Sequence, residues 1–351
     1  MNILALGASG ILALTGCSDA AYAESVMQVY MSPTGSDMND GLTIDTPVLT
    51  FTRVQDVLEE NNPDTDVEVR IKQGVYVDGQ TSWTFFVAGH TISFMPVDYE
   101  YGMTATEFAG RPIFRSDGTP GWWVYAQLPS GHPGGVTGLR FYYLQVELYQ
   151  AGGLLIHGRY KTEDGLLVPA TLGANGNTVY GMYFRKLGSK YSASIGYGYA
   201  GLDLINSSDN LVRANHFLNL ENNPPYGSYI HGVYLAHGSS RNQVINNRFL
   251  SVSADAVRIR NGSSDNEITG NSFEKVGNQA YVIDWFCDGT CVSGGSVQEC
   301  GGYDNQIHDN NLISSYTGST VPVYLLVPPG MTYHGPCTGA IGDRLTAWNN
   351  T

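Results

Sequence analysis

The chain has 351 residues, 42% hydrophobic and 14% charged, with 18 Lys plus Arg against 32 Asp plus Glu and a formal net charge of −14. Charge is well below the about 25% of a typical soluble domain, and 43 Gly, 23 Tyr and no long helical apolar spacing favour a turn-rich β protein. The acidic balance argues against nucleic acid as a partner, because such binders carry basic footprints, and leaves a polyanionic substrate only through a local basic patch.

Residues 1–16 are almost uncharged and rich in Leu, Ile and Ala. The stretch is too short and too early for a membrane span and reads as an export signal, although it lacks a positive n-region. Leu14-Thr15-Gly16-Cys17 resembles the lipobox of bacterial lipoproteins, with Cys17 as the acylated residue. Cleavage after Ala21-Tyr22-Ala23 is the alternative. We therefore expect residues 1–23 to be a signal peptide or lipoprotein signal. Residues 26–351 would form a single domain, monomeric, secreted or anchored to the outer membrane through Cys17.

Val29-Tyr30-Met31 opens that domain, followed by Gly35, Asp37, Asn39-Asp40-Gly41 and Thr46-Pro47. Asp37, Asn39 and Asp40 are possible calcium ligands, since hard cations take carboxylate and amide oxygens; Asx turns are the competing reading. Residues 49–60 place Leu49, Val54, Val57 and Leu58 at helical spacing and predict a capping helix, which the open end of a solenoid requires. Val67-Glu68-Val69-Arg70-Ile71-Lys72 alternates and predicts a strand. Shorter strands are expected at Thr84-Phe85-Phe86-Val87, Thr91-Ile92-Ser93-Phe94 and Pro112-Ile113-Phe114, with exposed aromatics at Trp122, Trp123 and Tyr125. Gly138-Leu139-Arg140-Phe141 and Gly152-Gly153-Leu154-Leu155-Ile156-His157 follow as strands. Residues 161–174 carry no pattern and predict a protruding loop, and residues 321–327 a last strand or edge-covering tail.

From residue 200 the chain repeats. Ala200-Gly201-Leu202-Asp203-Leu204-Ile205, His231-Gly232-Val233-Tyr234-Leu235-Ala236 and Asp255-Ala256-Val257-Arg258-Ile259-Arg260 align, each followed by a polar turn ending in Asn and a short apolar run. Asn210, Asn242, Asn266 and Asn305 are separated by 32, 24 and 39 residues, and Asn215, Asn247, Asn271 and Asn310 repeat those intervals. A 24-residue unit with insertions holds two or three strands and cannot bury its apolar face alone, so units must stack.

Stacked strands sit about 4.8 Å apart with side chains alternating in and out. Leu202, Leu204, Val233, Leu235, Val257 and Ile259 are expected inside. One outward column would hold Asp203, Tyr234, Arg258 and Val282; the next, Ile205, Ala236, Arg260 and Asp284. His231 and His237 would flank this patch, and Asp255 would open its strand. Arg258–Asp203 and Arg260–Asp284 ion pairs are the structural reading of the patch. The catalytic reading takes an arginine as the group that neutralises a sugar carboxylate and Tyr234, His231 or His237 as base or acid. Trp285, Tyr199, Tyr226, Tyr229 and Tyr191 supply flat surfaces on which sugar rings stack. Cys287, Cys291, Cys300 and Cys337, four cysteines in an exported chain, predict two disulfides, simplest as Cys287–Cys291 and Cys300–Cys337. A four-cysteine zinc site is the rival, but the spacing lacks a knuckle pair.

The opening at residues 30–47 and the pattern Gly232-Val233-Tyr234-Leu235…Ser239-Ser240-Arg241-Asn242-Gln243-Val244…Asn247-Arg248-Phe249 resemble the pectate-lyase-like superfamily of right-handed parallel β-helix proteins. The resemblance implies an all-β solenoid with an N-terminal capping helix. The superfamily's epimerase and polygalacturonase motifs are missing, so no catalytic residue is carried over from it. From the patch we expect a polysaccharide lyase acting on a uronic-acid glycan by β-elimination. A glycoside hydrolase using Asp255 and Asp284 is the first alternative, and a non-catalytic glycan-binding surface protein the second. No cofactor is expected beyond possible calcium.

Overall fold

A computed structural model describes residues 26–107, 110–192, 196–277, 280–287, 299–318 and 345–351. It is a right-handed parallel β-helix. Successive coils contribute one strand each to a ten-stranded, an eight-stranded and a seven-stranded parallel sheet. One continuous apolar core runs from Val29 to Leu345.

The asparagine columns are buried hydrogen-bond ladders at the turns. Asn247 Oδ1 accepts from the Asn215 backbone N–H and side-chain amide, both at 2.9 Å, while Asn247 donates to Asn271 Oδ1 at 3.0 Å and to the Val212 carbonyl at 2.9 Å. The Asn177–Asn210–Asn242–Asn266–Asn305 column works in the same way. Each side chain satisfies turn backbone groups that burial would leave without water. Within the core, Phe184, Phe217, Phe249 and Phe273 stack at 4.8–5.1 Å between centroids. Gly232 makes room for that stack: a Cβ there would lie 2.4 Å from the Phe249 ring.

The capping helix α1 spans Phe51–Asn61, with Thr50 as N-cap, left-handed Asn62 as C-cap, and Phe51, Val54, Val57 and Leu58 turned onto the first coil. Asp37 accepts from the Leu49 and Thr50 backbone N–H groups, Asp40 from Leu42 N–H and the Thr46 hydroxyl, and Asn39 donates to the Pro47 carbonyl. All three side chains are engaged in turn hydrogen bonds. Among the described residues no group of three His, Cys, Asp or Glu is placed to hold a metal ion.

Several expectations are corrected. The strand expected at residues 84–87 lies earlier, at Thr81–Trp83. Trp122 and Trp123 are buried, Trp123 because it points into the core against Phe51, Phe114 and Phe141, and Trp122 because Tyr199 stacks over it at 6.0 Å. The expected loop 161–174 contains an antiparallel hairpin, Tyr160–Glu163 with Leu166–Pro169, whose hydrogen bonds no periodicity announces. Residues 1–25, with Cys17, and 321–327 lie outside the described residues, and Leu345–Trp348 adds the last described strand of the ten-stranded sheet. The four-cysteine disulfide framework is not present among the described residues: Cys291 and Cys337, one half of each expected bridge, fall outside them. Cys287 and Cys300 fall within them, both in disulfide form.

Candidate active site on the seven-stranded sheet

The seven-stranded sheet carries the aligned repeat strands. Its register places Leu155, Asp203, Tyr234, Arg258 and Ile283 in one outward column. The inward residues Leu202, Leu204, Val233, Leu235, Val257 and Ile259 are fully buried, as expected. The last coil departs. Arg258 pairs with Ile283 and Ile259 with Asp284, one residue out of the register expected from the 24-residue spacing. A one-residue slip exchanges the two faces of a strand. Asp284 therefore points into the core at 0% exposure, and Trp285 takes its outward place beside Arg260. The Asp255–Asp284 pair does not form across the outer face.

The expected ion pairs are replaced by two others. Arg258 binds Asp255 through Nε (2.9 Å) and a terminal nitrogen (2.6 Å), and Asp255 lies 3.3 Å from His231 Nδ1. Burial alone would raise the Asp255 pKa, but Arg258 and His231 more than offset it and hold the carboxyl well below its usual range. Arg260 Nε reaches both oxygens of buried Glu299, at 3.0 and 2.8 Å, and its terminal nitrogen donates to Tyr234 Oη at 2.9 Å. Glu299 is fixed in turn by the Cys287 N–H, and the Arg260 guanidinium lies over the Trp285 ring at 4.5 Å. Each guanidinium is thus locked by a buried carboxylate, which fixes its direction.

Between them stands Tyr234. Burial raises its pKa while Arg260 and Arg258 pull against that. Asp203 is the next residue in the column, 5% exposed, between Leu155 and Tyr234, and its Oδ1 has no hydrogen-bond partner. Desolvation pushes its pKa up to about 8, with Arg260 opposing, so it is a protonated acid at neutral pH.

The two histidines take different places. His231 sits behind Asp255, its ring 5.1 Å from that of Tyr234. His237 stacks on Tyr160 of the hairpin at 4.3 Å and meets the Asn261 amide at 3.0 Å. Burial, then Arg260, lower its pKa to about 3, so it stays neutral. The hairpin forms one wall of the outer face. Tyrosines form the other: Tyr197 packs on Tyr199, Tyr226 and Tyr229 at 4.8–5.1 Å, and the last three are exposed. Tyr191 is elsewhere, donating to Glu221 beside Lys190. Beneath the tyrosine wall an open groove of about 340 Å³ is lined by Arg258, Asp255, Ser228, Ser253, Ala254, Ala280 and Ile283.

Three members of the face are absent from the expected site residues. Tyr125 and His157 lie on strands that pair in the same sheet, and stacking those strands below the repeat would have found them. Glu299 carries no sequence signal, because it returns from an insertion of no repeat length.

No protein-family model and no curated protein matches the sequence. Among solved structures the chain is similar to an alginate lyase from Paenibacillus sp. str. FPU-7, at 13% identity over 82% of this chain and 75% of that one, TM-score 0.50. It is also similar to a rhamnogalacturonan lyase, at 14% identity over 92% and 87%, TM-score 0.40. The catalytic domain of a GH87 α-1,3-glucanase aligns at 13% identity over 81% and 44%, TM-score 0.45. The likeness to the alginate lyase bears on the parallel β-helix fold alone, which agrees with the resemblance read from the sequence.

Proposed function

We propose that this protein is a carbohydrate-active enzyme, a polysaccharide lyase that cleaves a uronic-acid glycan by β-elimination. The observation that carries the reading is Arg258, locked by Asp255 and lining an open groove, one strand from a tyrosine whose hydroxyl accepts a hydrogen bond from a second locked arginine. A guanidinium binds a carboxylate bidentately and stabilises the charge that develops there when the adjacent C5 proton leaves. In this reading Arg258 takes the C6 carboxylate. Tyr234, as the minor phenolate form that Arg260 stabilises against the larger upward push of burial, removes the proton from C5. The C5–H electron pair forms the C4–C5 double bond, the C4–O bond breaks, and the leaving oxygen takes a proton from Asp203 or from the tyrosine just protonated. Tyr199, Tyr226 and Tyr229 give sugar rings a stacking wall.

A hydrolase is the second reading, favoured by Asp203, a buried carboxyl held protonated as a general acid must be. Incubation with polyuronates separates the two. The lyase releases an unsaturated, ultraviolet-absorbing product, and Arg258→Ala abolishes it. New reducing ends without that absorbance would select the hydrolase, and no product of either kind from any uronate or neutral glycan would reject both.

A further inference from the structure

The groove at Arg258 does not end there. A second open volume, about 480 Å³, is lined by Lys190, Asn223, Pro224, Pro225, Gly227 and Tyr316, and it shares Ser228 and Ser253 with the first. The two are one trough. It follows the corner between the eight-stranded and seven-stranded sheets: Lys190 follows strand Tyr183–Leu187, Asn223 follows His216–Leu220, and Ser253 follows Arg248–Val252, on three successive coils. The trough therefore runs along the helix axis, with Lys190 and Arg258 two coils apart, roughly 10 Å at the spacing of neighbouring strands.

Its two cations are mounted alike. Arg258 rests on buried Asp255, and Lys190 Nζ rests on Glu221 at 2.5 Å, a carboxylate with 7% side-chain exposure that also accepts from the Tyr191 and Tyr316 hydroxyls. The Lys190 side chain is 46% exposed, so its remaining ammonium hydrogens reach the trough. Between the cations the lining is hydroxyl and proline, with Ser228 and Asn223 at the surface. In a chain of net charge −14, two anchored cations on one trough select a ligand with carboxylates at intervals along an extended, hydroxyl-rich chain.

We propose that Lys190 is the centre of a second carboxylate subsite. It binds another uronate residue of the glycan whose reacting residue sits at Arg258. This rests on the uronate-lyase reading and adds to it the direction of the bound chain and a dependence on substrate length.

The test is titration calorimetry of size-defined uronate oligosaccharides on the Tyr234→Phe variant, in which turnover is slowed. The hexasaccharide is expected to bind more tightly than the disaccharide. Lys190→Gln is expected to weaken the hexasaccharide about tenfold, the size of one charge-assisted contact, and to leave the disaccharide unchanged. Lys190→Arg is expected to restore most of the loss. Gly227→Trp, at a position that lines only the Lys190 end and where a Cβ meets nothing within 4 Å, should produce the same selective loss even if Lys190→Gln fails to fold. An unchanged hexasaccharide affinity in both Lys190→Gln and Gly227→Trp overturns the subsite while unsaturated product from the parent enzyme keeps the lyase reading. If the parent neither cleaves nor binds any uronate oligosaccharide, the reading fails and the subsite with it.

Discussion

Tyr234, Arg258 and Asp203 hold their properties through neighbours that a single substitution can remove. Tyr234→Phe keeps the ring and deletes the proton carrier, so kcat should fall by about 10²–10⁴-fold with little change in binding. A wild-type rate in that variant assigns the chemistry to another group. Asp203 gives a separate, thermodynamic prediction. Its pKa rises from 3.8 to about 8 on folding. Between those values the native state holds a proton that the unfolded chain has lost. The stability from this group is therefore complete below the lower value and drains away as pH rises through the higher one, at about 1.4 kcal/mol per pH unit. Asp203→Asn should gain melting temperature over the parent steadily as pH is raised from about 5 to about 8. A difference independent of pH would place Asp203 in a more polar setting than the one described.

The ladders and walls make their own predictions at the level of elements. Asn247→Ala removes the acceptor of the Asn215 backbone N–H and one hydrogen bond each from the Asn215 side-chain amide and the Val212 carbonyl, and should cost about 2–4 kcal/mol, read as a lower denaturant midpoint. The hairpin wall is pinned by neutral histidines: burial lowers His157 to about 4 and His237 to about 3 from an ordinary 6.5. Their folded values are depressed, so acidification favours the unfolded chain, which takes up protons first. Stability should fall as pH drops from 6.5 towards those values, and His237→Asn should flatten that acid limb. An acid limb that is the same with and without His237 would contradict this. The sequence makes much of this layer legible, because a side chain repeated at 24 and 32 residues has only one place to go in a stacked coil. The hairpin was not legible, since nothing periodic marks a pair of strands that joins none of the three sheets.

At the scale of the whole molecule, the inner columns followed from period-two alternation applied to the stacked strands, and so did the outward direction of Tyr234, Arg258 and Arg260. The same arithmetic failed at the last coil. Arg258 to Ile283 spans 25 residues where the repeat gave 24, and that one residue sends Asp284 inward and Trp285 outward. Glu299 and the trough to Lys190 were hidden for a related reason: each is made by insertions whose lengths carry no period, brought together only when coils stack. The shared claim is that a glycan carboxylate rests on Arg258 with its C5 hydrogen facing Tyr234. A crystal structure of the Tyr234→Phe variant with a bound uronate oligosaccharide tests it most directly. The account predicts a C6 carboxylate paired with the Arg258 guanidinium and the chain continuing past Ser228 towards Lys190. A glycan bound on another sheet, or one whose carboxylates avoid Arg258, would contradict it.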